Sequence, residues 1–253
     1  MTKIIAVTNQ KGGVGKTTTS VNVAYYLAKA GHKTLLVDFD PQGNATSGLG
    51  VDKQSLGATM TEVILGKIEL QAVVQPTDHK NLFLAPSTPH LANTEVELAQ
   101  ADGRFVRLRR ALEGAGYDYI IIDSPPSLSL LTVNGLIAAQ YVLLPVQAEF
   151  YALEGLGQLL ETMKLIRKGL NPTLQLLGVV PTMMDNRTTL SGQVHAEIAK
   201  HFPNQIFKTS IPRNIRLAEA PSHGLPVGAY DRFSKGARAY KALTKEIIER
   251  IGQ

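Results

Sequence analysis

Residues 4–8, Ile-Ile-Ala-Val-Thr, run directly into Asn9-Gln10-Lys11-Gly12-Gly13-Val14-Gly15-Lys16-Thr17-Thr18, and a helical pattern opens at Lys16. An apolar β-type run, a turn holding three glycines and an immediate helix leave few folds open. Glycines let successive backbone N–H groups curl around phosphate oxygens, and the N-terminus of the following helix adds partial positive charge. Lys16 is placed to reach the β- and γ-phosphates of a nucleotide, and the Thr17 hydroxyl to ligate Mg²⁺. The turn also holds a second lysine, Lys11, which phosphate binding by the loop does not by itself require.

The rest of the chain repeats the strand–helix alternation. Apolar runs at Ile4–Thr8, Thr34–Val37, Leu82–Ala85, Tyr119–Ile122, Tyr141–Val146 and Leu176–Val180 are nearly continuous in hydrophobicity. That pattern suits strands buried on both faces of a parallel sheet. Helices are predicted at Lys16–Ala30, Leu91–Glu113, Leu130–Ala139, Leu153–Lys168, Gln193–His201 and Lys235–Ile251. The expected fold is α/β, a doubly wound, mostly parallel sheet flanked by helices on both faces, of the P-loop NTPase type. No repeat or long linker divides the 253 residues, so one domain over 1–253 is expected. In such a sheet, ligands bind beyond the carboxyl ends of the strands.

Two of those ends carry aspartates. Asp123 closes Tyr119-Ile120-Ile121-Ile122, where a carboxylate can hold a water on Mg²⁺, and Asp38 and Asp40 follow Leu35-Leu36-Val37. Two residues apart, Asp38 and Asp40 share a side if the strand continues. Asp40 is the candidate for orienting the water that attacks the γ-phosphate, with Asp38 as metal-side support. Pro41–Thr46, poor in helix formers, and Ser124-Pro125-Pro126-Ser127 resemble switch loops that a γ-phosphate orders. No Asn is followed by Lys, so the Asn-Lys-x-Asp guanine-reading motif is absent and ATP is favoured.

The absence of cysteine excludes disulfides, thiolate metal sites and cysteine-ligated iron–sulfur clusters, and fits a reducing cytoplasm. No apolar run reaches membrane-spanning length. The net charge is +5, and it is concentrated: Asn186–Lys245 holds ten Lys/Arg against three acids, a local balance of +7. Such a segment suits a polyanionic partner. The histidines lack metal-ligand spacing.

Lys11-Gly12-Gly13-Val14-Gly15-Lys16-Thr17 resembles the deviant Walker A motif of the ParA/MinD ATPases. Asn9-Gln10, Asp38-Phe39-Asp40-Pro41-Gln42-Gly43-Asn44, Asp123-Ser124-Pro125-Pro126-Ser127, Glu149–Gly155 and Ile211–Ser222 narrow the likeness to chromosomal ParA proteins of the Soj type, from about Lys3 to Ala242. By its residues alone Lys11 reads equally as a solvated loop lysine. The resemblance makes it the signature lysine, reaching the phosphates of the partner subunit in an ATP-sandwiched homodimer, with Gly12 kept small for the partner's approach. It also implies nucleotide contacts from Lys11 to Thr18 and from Pro212 and Asn214, with Arg213 as a further candidate for facing the nucleotide. Arg187 and Arg216 are implied to bind double-stranded DNA without sequence preference, on the nucleoid, with a ParB-like centromere-bound partner stimulating hydrolysis. The alternative is a MinD-like membrane-associated regulator, for which the apolar stripe Leu243, Ile247 and Ile251 would have to face lipid.

Overall fold

The computed structural model describes residues 1–149, 156–185 and 189–252. Seven strands form one sheet: β1 (Lys3–Val7), β2 (Thr34–Asp38), β3 (Gln75–Pro76), β4 (Leu82–Ala85), β5 (Tyr119–Asp123), β6 (Tyr141–Gln147) and β7 (Gln175–Thr182). Their order is β3-β4-β2-β5-β1-β6-β7, parallel throughout except for the short antiparallel edge strand β3. The helices include α1 (Lys16–Lys29), α2 (Asn44–Gly48), α3 (Met60–Ile64), α4 (Thr94–Ala99), α5 (Arg107–Leu112), α6 (Leu130–Ala138) and α7 (Leu156–Lys168). The series continues with α8 (Thr189–His201), α9 (Ile215–Glu219), α10 (Val227–Tyr230) and α11 (Lys235–Gly252).

The continuous strand hydrophobicity is explained by what covers each face. Strand side chains alternate, so Ile5, Val7, Leu36, Ile121 and Leu143 pack with α1 and α11 on one side. Ala6, Leu35, Val37, Ile120, Ile122, Val142 and Leu144 pack with α5, α6 and α7 on the other. The apolar stripe of α11 is part of this packing: Tyr240, Leu243 and Ile247 are buried against the sheet side, with Ile251 beside them. Lipid contact through that stripe would require the helix to leave its core. No helix among the described residues is long and apolar enough to cross a membrane.

The sequence and the structure part in two places. The single helix expected over Leu91–Glu113 is a 3-10 turn at Pro89–Asn93 followed by α4 and α5. The break centres on Gly103, whose φ of 66° is left-handed. Asn134 clamps the break, donating to the Arg104 carbonyl and accepting from Leu108 N–H. The segment Pro41–Thr46, expected as loop, turns helical at Asn44. The run Leu153–Lys168 begins within residues outside the described set, and its visible part is α7.

A candidate nucleotide site at the strand carboxyl ends

The register of the sheet assembles the site. Asp38 and Asp123 are paired across β2 and β5, and Val7 is paired with Asp123 across β1 and β5. The glycine-rich loop therefore rises beside both carboxylates. Gly13 (φ 74°) and Gly15 (φ 88°) take left-handed conformations that turn the chain into α1. No side chain caps the first turn of α1, so its N–H groups are left for a ligand. The loop is held from behind: Asn9 Nδ2 donates to the Pro145 carbonyl at 2.8 Å, and Thr182 Oγ1 to the Val14 carbonyl at 2.9 Å.

Lys16 is 7% exposed, with Nζ donating to the Lys11 carbonyl across the loop at 3.0 Å. Burial pulls its pKa down, and the fields of Asp123 and Asp40 oppose that shift. The two aspartates on strand ends are fully buried. Asp38 is held on both oxygens: Oδ2 accepts from Thr46 N and Thr46 Oγ1, each at 2.7 Å, and Oδ1 from Asp40 N at 3.3 Å. Asp123 accepts at Oδ1 from Ser20 Oγ at 2.8 Å, with the Thr17 side chain near enough to act on its carboxylate, while Oδ2 has no hydrogen-bond partner among the described residues. Burial first, and then the mutual repulsion of the two acids, pushes Asp123 well above the ordinary carboxylate range. Burial pushes Asp38 upward too, against its Thr46 hydrogen bonds.

A divalent cation fits this arrangement. An orphaned, buried carboxylate oxygen beside a threonine hydroxyl supplies two hard oxygen donors, and Mg²⁺ takes one or two protein ligands together with phosphate oxygens and water. Among the described residues no cluster of three His, Asp or Glu could cage a metal. Asp123 and Thr17 are thus the direct candidates. Asp38 already has both oxygens occupied, by Thr46 and by Asp40 N–H.

Asp40 reaches the same place by another route than strand alternation. β2 ends at Asp38, and a turn closed by Gly43 N–H on the Asp40 carbonyl carries Asp40 inward. Its Oδ1 accepts from Gln42 N at 2.9 Å and its carbonyl from Ser87 Oγ at 2.9 Å. Lys11 extends along the loop to Glu149, Nζ to Oε2 at 2.8 Å. Pro212, Arg213 and Asn214 line a 230 Å³ cavity with Gly15, Met183 and Leu217, in which Asn214 Oδ1 is buried without a hydrogen-bond partner. Gly12, with open space around a Cβ, and Thr18, at the cavity wall, complete the loop positions.

Of the two expected DNA contacts, Arg187 lies outside the described residues. Arg216 is on α9, remote from the carboxylates in its contacts: it pairs with Glu219 at 2.8 Å and Asp231 at 3.4 Å. Sequence reading had assigned no roles to Thr46, Ser20, Ser87 and Glu149. Ser20 was accessible to it, three residues after Thr17 and so on the same helix face. Nothing local in the sequence signals that Thr46 turns back onto Asp38.

A phosphate-gripping loop facing buried aspartates across a doubly wound sheet defines a P-loop nucleoside-triphosphate-binding protein. A family model described as an AAA domain matches residues 2–176. The sporulation initiation inhibitor protein Soj of Bacillus subtilis is 53% identical over 249 residues, 98% of each chain. The chromosome-partitioning ATPase Soj of Thermus thermophilus is 51% identical over 247 residues, 98% of this chain and 96% of its own. The structure of cobyrinic acid a,c-diamide synthase from Mycobacterium smegmatis, with a bound ATP analogue and magnesium, superposes with a TM-score of 0.90 at 39% identity, covering 100% and 97% of the two chains. The chain belongs to the Soj/ParA family of chromosome-partitioning ATPases.

Proposed function

We propose that this chain is a switchable DNA-partitioning ATPase, and that its switch is an ATP-sandwiched homodimer. The reaction is Mg²⁺-dependent hydrolysis of ATP to ADP and phosphate. The observation that carries it is Lys16, buried at the loop and facing the fields of Asp123 and Asp40. The loop N–H groups and Lys16 bind the β- and γ-phosphates of ATP, with Gly13, Val14, Gly15, Thr17 and Thr18 shaping the cradle. Asp123 and Thr17 would hold Mg²⁺, which when bound would supply neutralisation of phosphate charge. Asp40 orients the attacking water. The unpartnered Asn214 oxygen accepts a hydrogen bond from the exocyclic amine of adenine; guanine offers a carbonyl there, and two acceptors would face each other.

Lys11 from each subunit enters the other's phosphate site, supplying a cation only when two subunits meet. The dimer binds double-stranded DNA through phosphate contacts from Arg187 and Arg216, and a ParB-like partner at the centromere stimulates hydrolysis and release. The whole chain acts as one domain in the cytoplasm, on the nucleoid. Binding of a random-sequence duplex with ATP, with ADP and without nucleotide, over a salt series, tests this. Binding with ATP alone that weakens steeply with salt is expected. Equal affinity in all three states would overturn the switch.

A further inference from the structure

The five residues of α9 sit between two cavities. Asn214, Leu217 and Ala218 line the 230 Å³ base cavity, and Leu217, Ala220 and Pro221 line a second of 310 Å³ against Thr17, Thr18 and Asn44. No residue of α9 is fully buried, and Leu217 is the side chain that packs it onto the core, against α11. Its C-terminal end runs into a 3-10 turn, Ala220–His223, ending at Gly224. Gly224 meets Gly50, just beyond α2, backbone to backbone: a Cβ on Gly224 would lie 2.5 Å from Gly50 Cα. The helix α2 is in turn fastened to Asp38 through Thr46. The segment carrying Arg216 is therefore in contact with the base cavity on one side and with the carboxylate site, through α2, on the other.

On this segment Arg216 is already engaged. Glu219 takes its Nη1, Asp231 faces its Nε, and the Tyr230 hydroxyl steadies Glu219 at 3.3 Å, with His223 stacked on the Tyr230 ring. The guanidinium and two carboxylates carry a net charge of −1. Within this cluster a DNA phosphate approaching Arg216 meets more negative than positive charge, while Arg213, Arg232, Lys235 and Arg238 lie near it in sequence.

We propose that Glu219 and Asp231 gate the DNA surface: their ion pairs hold Arg216 back from a phosphate, and movement of α9 when the base cavity and carboxylate site are filled releases it. This inference rests on the DNA-binding reading of Arg216. Both acids are positioning residues, acting through Arg216.

The test is anisotropy of a labelled random-sequence duplex with the full chain, with and without ATP, for wild type, the double variant Glu219→Gln/Asp231→Asn, and Glu249→Gln. Glu249 pairs with Lys245 on α11 and serves as a control for bulk charge. The double variant is expected to bind DNA without nucleotide about tenfold more tightly than wild type, with a salt slope steeper by about one for each freed arginine. The Glu249→Gln control should change little, and adding Arg216→Ala to the double variant should erase the gain. An unchanged Tm for the double variant separates a gain of this kind from non-specific binding by misfolded basic chain. Wild type that responds to ATP beside a double variant with no gain, or with the same gain per charge as Glu249→Gln, would overturn the gate alone. Wild type and double variant both failing to bind DNA in every state would remove the DNA reading itself, and the gate with it.

Discussion

Two fully buried carboxylates in the same site as a buried lysine make it sensitive to single side chains. Lys16→Ala is expected to abolish productive ATP binding, leaving phosphate release at background in a turnover assay. Asp40→Ala should keep ATP binding and lose hydrolysis by roughly 10²–10⁴-fold, the usual weight of a group that orients or deprotonates the nucleophile; nucleotide-binding and single-turnover measurements separate the two variants. Asp123 sets a pH dependence. Its folded pKa is raised above the unfolded value of about 4. Below that pH both states are protonated and nothing changes. Above it the folded chain keeps a proton that the unfolded chain has lost, so unfolding free energy falls as pH rises, until the folded carboxyl itself ionises. Denaturant titrations of nucleotide-free protein should show this decline, and Asp123→Asn should flatten it.

At the scale of elements, strands were the most legible part. Runs such as Tyr119–Ile122 are apolar at every position because both faces are covered, a pattern visible in sequence and located within two residues of the observed strands. Loop chemistry was equally legible: Gly-Gly-Val-Gly-Lys-Thr needs its left-handed glycines wherever it occurs. What escaped were short elements stabilised by distant partners. The helix α2 forms in a segment of low helix propensity because Asp38 accepts Thr46 N–H within its first turn. The break between α4 and α5 depends on Asn134, some thirty residues downstream. The shared side expected of Asp38 and Asp40 was conditional on the strand continuing, and β2 ends at Asp38, with a turn beginning at Asp40. The Gly50–Gly224 contact was invisible for the same cause, being a meeting of backbones far apart in sequence. It gives an element-scale prediction: Gly224→Ala, with φ at 65° and no room for a Cβ, should lower stability by about 1–3 kcal/mol, read as a reduced Tm.

At the scale of the molecule, the assembly can be separated from the fold at Gly12. A Cβ there meets nothing within 4 Å, and its backbone is not left-handed. Gly12→Val should thus fold with unchanged Tm and bind ATP. If a second subunit comes close at the loop, the variant stays monomeric by light scattering where wild type dimerises; a normal ATP-dependent dimer would place the interface elsewhere. The other lysine of the loop has a kinetic meaning. In the single chain Lys11 is tied to its own Glu149. If Lys11 serves only a neighbour's phosphates, as proposed above, turnover is second order in protein at low concentration, so that halving the protein quarters the initial velocity. A chain built this way measures its own crowding: scattered molecules stay loaded and idle, while the same molecules gathered in one place begin to consume fuel.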